Sequence, residues 1–301
     1  MIELKNEKIA IPVVLFAGLL WSFGPLVVRY MDQPELVPWQ YIFVRGSTIF
    51  FILNIYLFLE EGKNFYKNYL KIGSSGIIGG CGLGIAMITF IYSITNTSAA
   101  VTLLCLAAMP FFTALLGFLF LKEKISFNVW IAISIATIGL IIIATGNTEK
   151  NSLIGLLFGM TSSIGFSVFS VTLRWRKETP KFTTVAVAGL FCAVVAALFI
   201  LVNNLTFLST SYNGSLFSLH GTLVCLGLIL YSIASKAIPA AELTLLSLTE
   251  VIGGIFWVWL PLFGINEVPS TNTIIGGFFL FMSIIYYSLT IKTNRRFIAL
   301  N

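Results

Sequence analysis

Uncharged apolar intervals, each about as long as a bilayer is thick, follow one another along the whole chain. A helix crosses roughly 30 Å of hydrocarbon with about 20 mostly apolar residues. Ile9–Val28 is one such interval, and Leu36–Leu59, interrupted by Arg45, is a second. Ile72–Leu121 is long enough for two spans, divided at the polar run Thr95-Asn96-Thr97-Ser98. Ile125–Thr148 and Asn151–Leu173 supply the fifth and sixth. Phe182–Ser235 is again double, divided by Asn203–Asn213. Leu243–Asn266, interrupted by Glu250, and Val268–Ile291 complete ten. The runs lack the ten-residue alternation of β-barrel strands. The expected fold class is an all-α integral membrane protein with ten transmembrane helices.

Charge placement orients these spans. With the N-terminus in the cytoplasm, fifteen Lys and Arg fall in loops on that side, from Lys5 and Lys8 to Lys292, Arg295 and Arg296. Arg29 and Lys150 alone fall outside, and Arg45 is intramembrane. This bias predicts both termini in the cytoplasm of an inner-membrane protein and supports an even number of crossings.

Composition agrees and removes other classes. Apolar residues make up 57% of the chain and charged residues 10%, against about 25% charged in soluble domains, so too little polar surface exists to coat a water-soluble globule. The net charge of +6 forms no basic face, and no nucleic-acid partner is expected. Cys81, Cys105, Cys192 and Cys225 all lie inside apolar runs without metal-ligand spacing, and His220, placed near an outer helix end, is the single histidine. No metal, cofactor or catalytic residue is expected. The Ile9–Val28 run has no A-x-A-like cleavage site and reads as a retained helix rather than a signal peptide.

The chain also repeats itself. Shifting the second half back by 141 residues lays Leu156–Gly165 on Leu15–Gly24, matching Gly159 to Gly18, Ser163 to Ser22 and Gly165 to Gly24. The same offset lays Ala240-Ala241 on Ala99-Ala100 and Leu245 on Leu104. A nearby offset lays Glu267 and Ser270 on Glu123 and Ser126. Two five-helix units are expected, residues 1–148 and 149–301. An odd number of spans forces such copies to insert in opposite directions, the inverted repeat of secondary transporters with a site between the halves.

Several segments carry a family resemblance. They are Gly18–Gly24, Arg45, Asn96–Ala100, Pro110–Gly117 leading to Glu123, Pro239–Glu242, Leu248–Glu250, and Trp257–Leu260 leading to Glu267–Ser270. In their order and spacing the chain resembles the drug/metabolite transporter superfamily, in its ten-helix EamA-type branch. The resemblance implies a solute carrier without ATPase parts, built from two inverted EamA repeats. Members carry amino acids, other metabolites, nucleotide sugars or drugs. The chain departs from the family at Glu250-Val251, where Glu-Pro is common, and in a longer Trp257–Glu267 interval containing Pro261.

Two charges lie deep inside spans, and each costs about 2.5–3.5 kcal/mol at a helix centre on insertion scales. From the span starts, Arg45 lies roughly 10 Å in from outside and Glu250 roughly 15 Å in from inside. Their levels are close enough for both to meet one substrate, Arg45 taking a carboxylate and Glu250 an ammonium. The alternatives are a Glu250 proton switch, a direct Arg45–Glu250 pair, or an Arg45 that snorkels outward. Trp21, too deep for an interfacial belt, is a further cavity candidate with Ser22 and its counterpart Ser163. Tyr92 and Trp257 are candidate gates or packing residues. Glu242, Glu123 and Glu267 read as helix-end residues, and Trp39, Trp130 and Trp175 as interfacial anchors. Pro25 and Pro110 are expected to bend their helices, and Gly76, Gly79, Gly80, Gly82 and Gly84 form a small-residue packing face.

The expected function is alternating-access transport of a small organic metabolite, an amino acid or related zwitterion, with the lipid bilayer and optionally protons as further partners, as a monomer or homodimer. Proton-coupled multidrug export is the nearest alternative. A membrane-embedded enzyme would need clustered His, Asp or Cys ligands or a nucleophile–base pair, and a structural subunit would not account for buried charges.

Overall fold

A computed structural model describes residues 6–97, 99–123, 125–145, 153–176, 178–265, 268 and 270–298. Ser98, Lys124, Lys150, Lys177, Glu267, Pro269 and the expected boundary between the halves at 148/149 lie outside these residues. The helices in chain order are α1 (Glu7–Arg29), α2 (Pro38–Glu61), the short α3 (Lys67–Leu70), α4 (Gly73–Asn96), α5 (Ala99–Leu106), α6 (Met109–Leu116), α7 (Phe127–Thr145), α8 (Leu153–Trp175), α9 (Lys181–Val202), α10 (Ser211–Ala234), α11 (Ala240–Leu246), α12 (Thr249–Trp259) and α13 (Thr271–Ile298). No strand occurs among the described residues. Seven helical segments are long and apolar enough to cross a membrane, and Met109–Leu121, Phe127–Gly139 and Ile274–Tyr287 are shorter apolar helices.

Helix ends follow local chemistry. The Asn6 side chain accepts from the Lys8 amide at 3.0 Å, with Glu7 in the first turn of α1 and Arg29 in the last, each suited to the helix dipole. Pro38 opens α2, and Gly62 closes it with φ +60°, a left-handed angle that costs glycine little. Thr210 caps α10 by accepting from the Asn213 amide at 3.1 Å. Pro25 lies inside an α1 that is one helix throughout.

The packing runs in corresponding pairs. α4 lies on α8 as α10 lies on α1, α4 meets α9 as α10 meets α2, α2 packs on α9, and α7 packs on α13. The glycine face of α4 is buried in these contacts: Gly82 faces the Gly165 carbonyl of α8, and Gly80 faces Val187 and the Thr184 carbonyl of α9. At the α2–α9 crossing, a methyl on Gly46 would lie 2.7 Å from the Gly189 carbonyl oxygen, and one on Gly189 would lie 2.8 Å from that of Gly46. Backbone meets backbone there, as small residues permit in a bilayer. Gly46→Leu is expected to lower stability by about 1–3 kcal/mol or more through overpacking. An unchanged thermal unfolding curve in detergent would show that the crossing tolerates a side chain.

Two expected spans are broken rather than continuous. α5 and α6 part at Ala107-Ala108, just before Pro110, which has no N–H to donate. Ser163 of α8 donates to the Cys105 carbonyl, and Ser167 to that of Met109 at 3.2 Å, so carbonyls on both sides of this break have partners. α11 and α12 part at Ser247-Leu248 without proline or glycine. Here Thr244 donates to the Ala241 carbonyl at 2.9 Å, Ser247 to Thr244 at 2.8 Å and Thr249 to Leu246 at 3.1 Å. Back-bonded hydroxyls of this kind bend helices, and the amides of Leu248, Glu250 and Val251 accordingly bond three residues back.

Candidate functional site

The two broken segments pack side by side, α6 on α11 and α5 on α12. A partly open cavity of about 60 Å³ lies beside them, walled by α1, α2, α4, the α5–α6 break, α8, α10 and α12. Its polar wall carries Arg45, Ser162, His220 and Glu250; its apolar wall includes Trp21, Met87, Phe90, Leu106, Met109, Phe166 and Leu228.

Arg45 and Glu250, expected to meet one substrate, lie on this one cavity. They form no ion pair with each other among the described residues. Arg45 is 5% exposed and does not reach the bundle surface. Its Nη1 makes a long contact of 3.5 Å to the Met87 carbonyl, its Cζ lies 5.8 Å from the Phe90 ring centroid, and its Nε has no partner. A cation over an aromatic face gains some stabilisation, but a buried donor without an acceptor is costly. Glu250, in the first turn of α12, is half-buried and has no hydrogen-bond partner among the described residues. The site holds two complementary, separated and incompletely satisfied charges.

Trp21 joins them. Its indole Nε1 donates to the Val224 carbonyl at 3.2 Å, and its ring meets Phe166 edge-on at 5.6 Å. Gly227 of α10 leaves the room this indole fills. Tyr231 packs behind Trp21 at 5.6 Å and is held by Ser170 at 2.7 Å.

The remaining candidates stand off the cavity. Ser22 donates to the Leu19 carbonyl at 2.6 Å and accepts from Trp257 Nε1 at 2.7 Å, while the Trp257 ring stacks on Phe23 at 4.6 Å. Ser163 is committed to the α5–α6 break, whereas its neighbour Ser162 lines the cavity and donates to the Ala86 carbonyl at 2.9 Å. Tyr92 packs against Trp39 at 5.2 Å and Phe158 at 5.3 Å.

His220 corrects its expected place. It lies on the cavity wall, 2% exposed, with Nδ1 bonded to the Tyr41 hydroxyl. α10 starts at Ser211, inside what reads as a polar loop, so His220 is nine residues, roughly 14 Å, into the helix. An imidazole that far inside an apolar run was the available signal.

A second polar cluster ties the halves together at the far end of α8. Arg174 Nε donates to Glu123 Oε1 at 2.5 Å, and Nη1 donates to the carbonyls of Ser235 and Ile238, both at 2.7 Å. Glu123 Oε2 accepts from the Ala240 amide at 3.4 Å, so Glu123 caps α11, the role expected of Glu242. Glu242 instead accepts from Tyr287 of α13. At the opposite end, the Asn213 side chain donates to the Asp32 carbonyl and accepts from the Asp32 amide, both at 2.9 Å.

An all-helical, multi-pass bundle around a central cavity with separated charges defines a membrane protein of the transporter class. Residues 8–145 match the EamA-like transporter family. It is 26% identical to an uncharacterized transporter of Helicobacter pylori (strain J99 / ATCC 700824), covering 80% of each chain. It is also 26% identical to an uncharacterized transporter of Clostridium kluyveri, covering 93% of this chain and 94% of that protein. A solved crystal structure shares the fold with a TM-score of 0.73 at 17% identity, covering 95% of this chain and 98% of that one.

Proposed function

We propose that the protein is a secondary transporter of amino acids or related zwitterions, working by alternating access. The observation that carries this reading is the pair of separated charges, Arg45 and Glu250, on one otherwise largely apolar cavity. A zwitterion bound between them would satisfy the carboxylate with Arg45 and the ammonium with Glu250. Burial strengthens both interactions.

The architecture we propose around this site is ten crossings in two inverted five-helix repeats, in the inner membrane with cytoplasmic termini. The three shorter apolar helices bring the crossings to ten beside the seven long ones. The corresponding packing pairs and the two helix breaks, near Ala107 and Ser247, support the inverted repeat. Breaks facing a midplane site are a transporter device.

Purified protein in liposomes is expected to take up at least one of the twenty proteinogenic amino acids, supplied radiolabelled, without ATP. If none is taken up and none raises the unfolding temperature, the zwitterion reading is wrong. The aromatic wall of Trp21, Phe90 and Phe166 favours a second reading, proton-coupled export of apolar cations with Glu250 as their counter-charge. Ethidium movement driven by an imposed pH gradient, without amino-acid flux, would select it.

A further inference from the structure

The zwitterion reading leaves His220 without a task, although it stands on the cavity wall at 2% exposure. Tyr41, one helical turn before Arg45 on α2, is fixed by stacking on Phe217 at 4.8 Å, and its hydroxyl bonds His220 Nδ1. That phenol has no other acceptor among the described residues. A buried O–H is rarely left unmade, so the phenol donates and Nδ1 accepts. In the neutral ring the proton then resides on Nε2.

Nε2 has no hydrogen-bond partner among the described residues, and the ring lies against Gly24 of α1, where an added methyl would clash with Nε2 at 2.8 Å. α10 and α2 are in close contact at this level: a methyl on Gly221 would lie 3.1 Å from the Arg45 carbonyl oxygen. His220 and Arg45, whose Nε is also unpartnered, line the same cavity. Glu250 reaches the cavity from a different helix, α12.

We propose that His220 and Arg45 together form the carboxylate subsite, with Tyr41 as a positioning residue that holds the imidazole in its Nε2–H form. This rests on the zwitterion reading and adds which groups distinguish a free carboxylate from a neutral carbonyl. A carboxylate accepts from both donors, one of them charged; a carboxamide brings no charge to the guanidinium.

The test is equilibrium dialysis of detergent-purified protein with labelled leucine, leucinamide and 4-methylpentanoate. The wild type is expected to bind leucine at least about tenfold more tightly than leucinamide, the loss typical of one hydrogen bond to an ionised group. Tyr41→Phe should lower that ratio, because a ring that carries its proton on Nδ1 turns a lone pair toward the carboxylate, and His220→Gln should keep it, because an amide N–H donates without a tautomer to set. The double variant Tyr41→Phe/His220→Gln should restore the ratio, which a merely structural role of Tyr41 does not predict. Equal weakening of leucine and leucinamide in Tyr41→Phe, or no recovery in the double variant, overturns the subsite. Equal wild-type affinity for leucine and leucinamide, with 4-methylpentanoate unbound, overturns it while leaving Glu250 as an ammonium site. If none of the three probes binds, the zwitterion reading and the subsite fall together.

Discussion

Glu250→Gln lowers zwitterion uptake in proteoliposomes by roughly tenfold to a hundredfold, the range for losing a hydrogen bond to an ionised group in a desolvated site. The carboxylate has no protein partner to lose, so the substitution leaves no group of the protein unpaired and folding should be spared. Removing a buried, unpartnered charge relieves the resting protein. The variant is therefore expected to unfold at the same temperature as the wild type or a higher one while transporting poorly. Uptake at the wild-type rate would remove Glu250 from the site. A marked fall in unfolding temperature would show that it has a structural partner.

Arg174→Ala has the largest expected effect on stability. It removes the 2.5 Å pair with Glu123 and the bonds to the Ser235 and Ile238 carbonyls together. Charged hydrogen bonds contribute about 1.5–3 kcal/mol each when sheltered, but Arg174 and Glu123 keep 24% and 20% of their side-chain surface exposed. Solvent therefore screens the pair, and a net loss of about 2–4 kcal/mol is expected. Glu123→Gln should cost less, because its amide oxygen still accepts from Ala240. Thermal unfolding of both single variants and the double variant gives the coupling between them. A coupling near zero would mean that Arg174 acts through the two carbonyls alone.

Much of this arrangement is legible in the sequence because a membrane imposes simple rules. Apolar runs mark the helices, and the rise per residue brought Arg45 and Glu250 to nearly one level. Regular helices preserve that level, and the two share a cavity. The glycine face of α4 was readable for a similar reason, since small residues at close spacing admit a neighbouring backbone. What escaped depends on partners distant in sequence. Nothing near Tyr41 announces that its hydroxyl reaches His220, 179 residues away. Nothing near Glu123 announces that it caps a helix beginning at Ala240. The break at Ser247 has no proline or glycine to mark it, and arises from three hydroxyls folding back on their own helix. Ser22, Ser163 and Tyr92 have the polarity of site residues, and the structure places them off the cavity, in contact with other helices.

The Thr249 hydroxyl, besides its bond to Leu246, lies 3.3 Å from the Leu15 carbonyl of α1, and Gly18 of α1 has no side chain to hold the two apart. Glu250 is the next residue. The residue beside Glu250 thus joins the start of α12 to the first helix through a single hydroxyl.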